Sequence, residues 1–475
     1  FHYLRLQVFL NPMRKFQIYF LSFLLFAYCG ASEESVQEVA EDTTTSTTST
    51  STTSSTTTTT IIEEEKIVDE YGIELIEMSP EMKEQFDELI AFVELRTGLE
   101  FTEYPKFQLY TLNGYREYSV ASYLDDFEED YEEGEWERAV LSENMWGLNT
   151  ATPDELKDLL VEFQRCASSG SYNLLDKILR VPVKKNQKKL NLFEQSVITH
   201  ELVHSLQGQI IDLSAWYYEM KDADDFSDYY GRRSIMEAQA DIIQERWEGG
   251  LDSYDRQTLQ SQYPAGCGVS LPEYFYIPFD LYYGYGGILG KEIYNKGGME
   301  ALNEALYLLP TPEQVYEPEK YFSGEIYDDI EISDLAIEGY SLVDEGKFNS
   351  LDLVYLLQGN IGQKQAVEAA VGLNGGSWKD YQDAEGKLFM SVKLNGDNST
   401  ELSEIYEAFI DWAEAQERFI AYTTADFTGN LFIGELTSFW IENDGEFVRI
   451  LLAIDQNLLK DILSNCSSGP CKQDF

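Results

Sequence analysis

Histidine and basic residues are scarce in this chain of 475 residues. It has three His, and 85 Asp and Glu stand against 34 Lys and Arg, which gives a formal net charge of −51. A surface this acidic repels a phosphate backbone, so nucleic acid is excluded as a partner. The acidic clusters at 125–135 and 222–228 lack the Asp-x-Asp-x-Asp-Gly spacing of a calcium loop. We therefore interpret the charge as a means of staying soluble in salt.

An apolar run long enough to span a bilayer is missing from the start of the chain. A run of about ten apolar residues, 18–27, follows the basic Met13-Arg-Lys sequence, which predicts an export signal with Met13 as its start. Residues 1–30 are thus expected to be upstream sequence and signal peptide. Residues 31–66 are acidic and then rich in Ser and Thr, a composition that predicts a disordered stalk. We expect the protein to be extracytoplasmic.

Cysteine is also sparse, with five residues. Cys29 follows the apolar run and resembles a lipoprotein cysteine, so the only membrane association expected is a lipid anchor there. The alternative is an ordinary signal peptide cut near Ala31. The other four predict disulfides in an extracytoplasmic protein. The simplest of three possible pairings joins Cys466 with Cys471 and Cys166 with Cys267.

Two of the three histidines occur in one motif, His200-Glu201-Leu-Val-His204, which has the form HExxH. Residues 193–207 contain no Gly or Pro and predict a helix, on which positions i and i+4 share a face. Both imidazoles can then reach one Zn²⁺, with Glu201 beside them as a base. The opposite face carries an apolar stripe of Ile198, Leu202 and Leu206. A buried helix whose histidines only satisfy hydrogen bonds is the competing interpretation.

A third protein ligand has to be a carboxylate or a thiolate, because His2 lies in the segment that we expect to be removed. Residues 233–247 predict a second helix with Glu237 and Asp241 one turn apart on one face. We predict Glu237 as the third zinc ligand and Asp241 as a group that orients one histidine through its other ring nitrogen. Alternatively, Ser234 and Glu237 form a helix capping box. The remaining candidate ligands, expected to be solvated surface charges, are Glu245 and Asp212.

HExxH followed by Glu-x-x-x-Asp on a second helix resembles the gluzincins, the thermolysin-like zinc peptidases. The segment 198–207 is also similar to the HELxHxLQ helix of a group of secreted bacterial gluzincin-like proteins. The segment 277–287, and 297–303 followed by 312–321, resemble other parts of the same proteins. The resemblance covers most of residues 75–330, and only the zinc motif is specific. It implies a zincin-like catalytic domain with one catalytic Zn²⁺.

The mechanism implied is hydrolysis by a water that zinc acidifies towards a pKa of about 7, with Glu201 as general base. The oxyanion needs a further donor, and no histidine is left to supply it. We predict Tyr230 for this role. The other candidates near the second helix and in the Gly-rich Tyr segment are Tyr229, Arg232, Arg233, Tyr282, Tyr283 and Tyr285.

The alternation of helical and strand-like patterns predicts an α+β fold. Residues 67–330 are expected to form the zinc metallopeptidase-like domain, with its active-site helix packed on a small sheet, and 331–475 a C-terminal α+β domain of unknown role. The helices are predicted at 80–96, 288–309, 351–370 and 401–419, and the strands at 106–111 and within 174–192, 378–394 and 429–454.

These observations predict an extracytoplasmic zinc peptidase that acts on protein or peptide substrates. One alternative is a zinc hydrolase of a non-peptide amide or ester. Another is a catalytically silent surface-binding lipoprotein with the same fold, since Glu317 stands where similar proteins have a histidine. The sequence leaves the oligomeric state open.

Overall fold

The computed structural model describes residues 66–468, apart from residues 132, 168, 214, 216–226, 265, 267 and 423–427. The predicted signal segment, Cys29 and the stalk up to residue 65 lie outside the described residues, as does most of the acidic cluster at 222–228. The disulfide pairing stays a prediction, since Cys267 and Cys471 are also outside them. In the described part of the chain, no helix has the length and apolarity needed to cross a membrane.

The fold is α+β, as predicted. Among the described residues up to 330, three strands accompany a larger number of helices. The strands are β1 (Lys106–Tyr110), β2 (Ser171–Tyr172) and β3 (Ile178–Pro182). The helices are α1 (Pro80–Thr97), α2 (Leu112–Asp130), α3 (Glu135–Trp146), α4 (Pro153–Gln164), α5 (Leu192–Ile210), α6 (Ser227–Gly249), α7 (Ser253–Gln262), α8 (Gly286–Ala305), α9 (Pro312–Tyr316) and α10 (Pro318–Ser323). A 3₁₀ turn (Glu273–Tyr276), an α turn (Ile277–Phe279) and a π-helix (Asp280–Tyr285) lead into α8.

Strands β1, β3 and β2 form a small sheet in that order. β1 runs parallel to β3, with Lys106 paired to Ile178, and β2 runs antiparallel to β3, with Tyr172 paired to Leu179. β2 is therefore an edge strand of this sheet. Both β2 and β3 contact α5, which brings a strand edge beside the helix that carries the HExxH motif.

Helix α5 forms because its sequence supplies both a cap and an apolar face. Asn191 and Glu194 make a capping box at its N-terminus, each side chain bonded to the backbone of the other residue. The predicted stripe is completely or almost completely buried, in a core that also receives side chains from α1, β3 and α6. The side chains of the stripe are those of Ile198, Leu202 and Leu206. The expected helix over 193–207 is confirmed, and it is one residue longer at its start and three at its end.

After residue 330 the chain forms a seven-stranded antiparallel sheet in the order β4-β5-β6-β10-β9-β8-β7. Its strands are β4 (Tyr340–Phe348), β5 (Leu373–Asp383), β6 (Leu388–Gly396), β7 (Phe419–Tyr422), β8 (Asn430–Gly434), β9 (Ser438–Asn443) and β10 (Val448–Ala453). The accompanying helices are α11 (Ser350–Ile361), α12 (Gln363–Ala370), α13 (Ser399–Ala415) and α14 (Gln456–Ser468).

Three predicted helices differ from the observed ones. The helix expected over 288–309 ends at Ala305, and Gly298, with a left-handed φ of 70°, puts a kink in it. Two others are interrupted or shortened. The helix expected over 351–370 is two helices, because Gly362 has a φ of 82°, a left-handed value that ends α11 and that glycine adopts without strain. The helix expected over 401–419 ends at Ala415, and Phe419 begins β7, where it pairs with Gly434. In both places a backbone feature outweighs a continuing apolar pattern.

The two portions of the chain share one hydrophobic core. The ring centroid of Trp146 at the end of α3 lies 5.5 Å from that of Trp412 in α13. The Tyr355 hydroxyl of α11 donates to the buried Glu143 carboxylate of α3 at 3.2 Å. α3 therefore joins the part of the chain that carries the HExxH motif to the C-terminal sheet, and the boundary near residue 330 stays a prediction.

Candidate metal centre

Helices α5 and α6 pack against each other and bring His200, His204 and Glu237 together. We call these residues the donor triad. The His200 Nε2 lies 3.1 Å from the His204 Nε2 and 3.1 Å from the Glu237 Oε2, and the last two atoms are 3.3 Å apart. All three residues are buried, and Glu237 has no exposed surface. The predicted ligands thus converge on one point.

The size and chemistry of the donor triad fit a Zn²⁺ ion. A tetrahedral Zn²⁺ at about 2.0–2.1 Å from nitrogen and oxygen donors keeps those donors about 3.3–3.4 Å apart. The observed separations of 3.1 to 3.3 Å come close to this value. Two imidazoles and one carboxylate are also a donor set typical of catalytic zinc, which leaves a fourth position open.

Glu237 is held by an arginine of its own helix. The Arg233 Nε lies 2.7 Å from the Glu237 Oε1, so one carboxylate oxygen faces the guanidinium while the other faces the histidines. Burial alone would raise the pKa of Glu237, but Arg233 and His204 outweigh it and hold that pKa well below its usual range. Glu237 is therefore a carboxylate at neutral pH, as a metal ligand has to be.

The capping box considered for Ser234 and Glu237 is excluded. Helix α6 begins at Ser227, so Ser234 lies in its third turn and not at its N-terminus. The Ser234 hydroxyl donates to the Tyr230 carbonyl at 2.8 Å, a bond within the helix. The alternative is wrong because α6 begins about two turns earlier than the capping box requires.

His200 has two partners for the ring nitrogen that faces away from the triad. Its Nδ1 lies 3.1 Å from the Gln244 Oε1 and 3.4 Å from the Asp241 Oδ1. Burial would lower the pKa of His200, but Asp241 and Glu237 outweigh it and raise that pKa well above its usual value. Asp241 thus lies where the sequence predicted it, and Gln244, one turn further along α6, shares its position.

His204 is oriented by a chain of side-chain amides. Its Nδ1 lies 2.9 Å from the Gln207 Oε1, and the Gln207 Nε2 donates to the Met236 carbonyl and to the Gln239 Oε1. The Gln239 Nε2 donates in turn to the Asn303 side chain at 2.7 Å. Because a backbone carbonyl fixes the Gln207 amide, its oxygen has to face the histidine. This arrangement selects the tautomer with the proton on Nδ1 and leaves Nε2 free to bind a metal.

Glu201 lies between the donor triad and the edge of the small sheet. Its Oε2 accepts a hydrogen bond of 2.9 Å from the backbone N–H of Tyr172 in β2. Burial raises the pKa of Glu201, and the two neighbouring histidines oppose the shift. The side chain of Tyr115 in α2 is buried within electrostatic reach of Glu201. A carboxylate fixed in this way beside a metal position can act as a base.

The predicted oxyanion donors lie around the start of α6. Tyr230 is buried and stacks on Tyr282 of the π-helix, with centroids 6.5 Å apart. Tyr229 and Tyr282 are electrostatic neighbours of both Arg233 and Glu237. The role of Tyr230 stays a prediction.

Other candidates have contacts outside the donor triad. The ring of Tyr285 packs on Tyr316, with centroids 4.8 Å apart. The Glu245 carboxylate pairs with Lys291 on the surface, and Asp212 caps the backbone amide of residue 215. Glu317 is the single residue between α9 and α10 and caps both helices.

A second group of carboxylates, formed by Glu313, Glu325 and Asp397, surrounds an ammonium group. The Lys320 Nζ contacts all three carboxylates, at 2.9 Å in the case of Glu313. This group is therefore an ion-pair network that ties α10 to the end of β6, and Lys320 supplies the positive charge.

Sequence reasoning missed three contributors to the site. Gln207 and Gln244 lie three residues after His204 and Asp241, so helical spacing could have identified both. The Tyr172 amide could not be identified in this way, because its contact with Glu201 depends on how β2 packs against α5. Comparison with known proteins adds no further constraint, since no family model, no curated protein and no solved structure matches this chain.

Proposed function

We propose that this protein is a zinc-dependent peptidase that hydrolyses peptide bonds with Glu201 as general base. The observation that carries the proposal is the convergence of the His200 and His204 Nε2 atoms and the Glu237 carboxylate at zinc-site separations, with a second carboxylate beside them. The resemblance of HExxH and Glu-x-x-x-Asp to the gluzincin motifs supports the same conclusion.

Each residue of the site then has a defined task. His200, His204 and Glu237 would hold Zn²⁺, which supplies a more acidic water and polarises a substrate carbonyl when bound. Glu201 takes the proton of the attacking water and passes it to the leaving amine. Its raised pKa suits this exchange, because a base with a pKa nearer to neutrality also returns the proton more readily.

The surroundings of these residues support their tasks. Gln207 and Gln244 keep both imidazoles in the tautomer that presents Nε2. Arg233 holds the outer oxygen of Glu237, which leaves the inner oxygen to the metal. Tyr229 and Tyr282 are electrostatic neighbours of Arg233 and Glu237. We propose Tyr230, which stacks on Tyr282, as the donor that stabilises the developing oxyanion.

Metal analysis and a peptidase assay test the proposal together. Purified protein is expected to carry one zinc per chain and to cleave a mixture of unstructured peptides, with activity lost to a chelator and restored by Zn²⁺. Glu201→Gln should keep the zinc and lose the cleavage by about a thousandfold or more, because the metal ligands remain and the base is removed. Glu245→Gln is the matched control, since it makes the same change on the exposed face of α6.

The outcomes separate the alternatives. One zinc per chain with no cleavage of any peptide would refute the peptidase, and an ester or non-peptide amide panel would then test the first alternative. A chain that binds no zinc after careful reconstitution would refute both enzymes in favour of a silent binding protein. For the location, we propose an extracytoplasmic protein, which fractionation of expressing cells would test.

A further inference from the structure

We propose that the loop of residues 184–189, which we call the lysine loop, selects substrate peptides that carry acidic side chains next to the cleaved bond. The inference rests on the proposed peptidase function and names the substrate class of the same site. It follows from three features: a pocket on the face of α5 that carries Glu201, the charge of the loop at the rim of that pocket, and the bracing of the loop.

The pocket has a volume of about 450 Å³ and begins one helical turn before the site. Phe193 and Val197 line it, and Glu201 follows at the next i+4 position of α5, so all three residues share one face of the helix. Gly170 also lines the pocket, two residues before Tyr172, whose amide holds Glu201. When the cleaved bond of a peptide lies at Glu201, the side chain of a neighbouring peptide residue can therefore reach this pocket.

The rim of the pocket is basic in a protein that is otherwise strongly acidic. The lysine loop reads Lys184-Lys-Asn-Gln-Lys-Lys189 and holds four of the chain's 34 basic residues without any acidic residue. Lys184 and Lys185 line the pocket, and all four lysines are exposed. In a chain with a net charge of −51, four exposed lysines at the rim of this pocket attract an acidic peptide that the rest of the chain's net charge would repel.

The shape of the lysine loop is fixed by hydrogen bonds. The Gln187 Oε1 accepts from the Lys184 amide, and the Gln187 Nε2 donates to the Lys189 carbonyl and to Glu194. Asn186 has a left-handed φ of 65°, which asparagine tolerates in a tight turn. The lysines thus extend from a braced turn. Substrate binding therefore costs less conformational entropy of the loop.

The lysines of the loop make few ion pairs within the protein, so they are available to pair with a ligand. Lys185 pairs with Glu74 at 3.3 Å, and both side chains are exposed, so this pair is weak. In the described part of the chain, no carboxylate lies within ion-pair distance of Lys184, Lys188 or Lys189. Glu194 is the one carboxylate among the described residues that line the pocket. It is engaged by its capping box and by Gln187, and Lys184 also acts on it electrostatically.

Two quenched fluorogenic decapeptides test the inference. Each has a central Leu, flanked on both sides by two Glu in one peptide and by two Gln in the other. We expect the wild-type kcat/KM to favour the Glu peptide by about tenfold at low salt and by about twofold at 0.5 M salt. The double variant Lys184→Ala/Lys185→Ala should lower this ratio to about one, and Lys184→Glu/Lys185→Glu should invert it. The ratio does not depend on the fraction of folded enzyme.

The matched control is Lys364→Ala/Lys387→Ala, which removes two exposed charges from the C-terminal portion and should keep the wild-type ratio. Equal cleavage of both peptides, or preference for the Gln peptide, would overturn the inference and leave the peptidase intact. If the wild type cleaves neither these two peptides nor any peptide of the mixture, the peptidase proposal fails instead. The inference is then decided by fluorescence anisotropy, which measures binding of the Glu peptide to the Glu201→Gln variant. Binding that is lost when Lys184 and Lys185 are also replaced supports the inference, and the absence of binding overturns it. Loop-dependent sedimentation with anionic phospholipid vesicles, without any peptide preference, would assign the loop to a membrane surface and also overturn it.

Discussion

Gln207 provides the sharpest test of how the site is built, because its side chain is buried and its amide connects a proposed zinc ligand to the backbone of α6. Replacing it by Leu keeps the approximate volume and removes both hydrogen-bonding groups. The His204 Nδ1, the Met236 carbonyl and the Gln239 Oε1 would then lose a partner in a place that water cannot readily reach.

The size of the effect follows from these three groups. Each buried polar group that loses its partner costs about 1–3 kcal/mol, and local relaxation recovers part of that, so we expect the free energy of unfolding of the metal-free protein to fall by about 3 kcal/mol. Loss of the group that orients a ligating histidine typically weakens metal binding by about 10- to 100-fold. Gln207→Leu should therefore reduce both stability and zinc affinity.

The zinc dissociation constant, measured by competition with a chromophoric chelator, separates these two effects. Gln164→Leu is the control, since Gln164 is buried at the end of α4 and no described contact joins it to a histidine. It should alter the unfolding midpoint and leave zinc affinity unchanged. A Gln207→Leu protein that loses stability and binds zinc within twofold of the wild type would refute the orienting role of this residue.

Three further predictions concern the framework of the site. Burial raises the pKa of Glu143 from 4.5 to about 7, so the folded protein holds a proton that the unfolded chain releases between these values, and stability falls as pH rises through this window. Glu143→Gln should remove about 3 kcal/mol of this decline between pH 4.5 and 8, measured by urea denaturation; an unchanged slope would contradict it. Gly231→Ala should strongly destabilise the protein in a thermal melt, because the new Cβ would lie 1.4 Å from the Pro310 carbonyl oxygen, whereas Gly249→Ala meets no atom within 4 Å and serves as the control. Leu202→Ala should cost about 2–5 kcal/mol by opening a cavity beneath the HExxH helix, and a loss below about 1 kcal/mol would show that this face is not tightly packed.

The candidate site was largely predictable because its spacing is helical. His200 and His204 share a face by virtue of four-residue spacing alone, and so do Glu237 and Asp241. The apolar residues on the opposite faces of these two segments indicated which faces are buried. Both helices were therefore predicted as well. The role of Arg233 was missed, because it was considered only as an oxyanion donor. It holds the outer oxygen of Glu237, and the four-residue spacing between the two could have identified this contact.

Prediction succeeded for the fold class and for the helices that carry the site, and it missed other elements. Helices α2, α3 and α4 were not predicted. The α+β class and the helices α1, α5 and α6 follow from periodicity in the sequence. The break at Gly362 and the start of β7 at Phe419 do not, because backbone conformation and strand pairing decide them. The start of α6 at Ser227 was missed as well, and with it the exclusion of the capping box.

The sequence by itself determined that two histidines and a glutamate share a helix face and that a second helix supplies carboxylates. Local spacing fixes these properties, because helix geometry relates neighbours three and four residues apart. Only the tertiary structure decided that Glu237 comes within 3.3 Å of both imidazoles and that the Tyr172 amide holds Glu201. It also decided that the lysine loop borders a pocket, which lies on the same face of α5 as Glu201. These contacts join residues far apart in the chain, and the packing of α5 against α6 and the small sheet sets their distances.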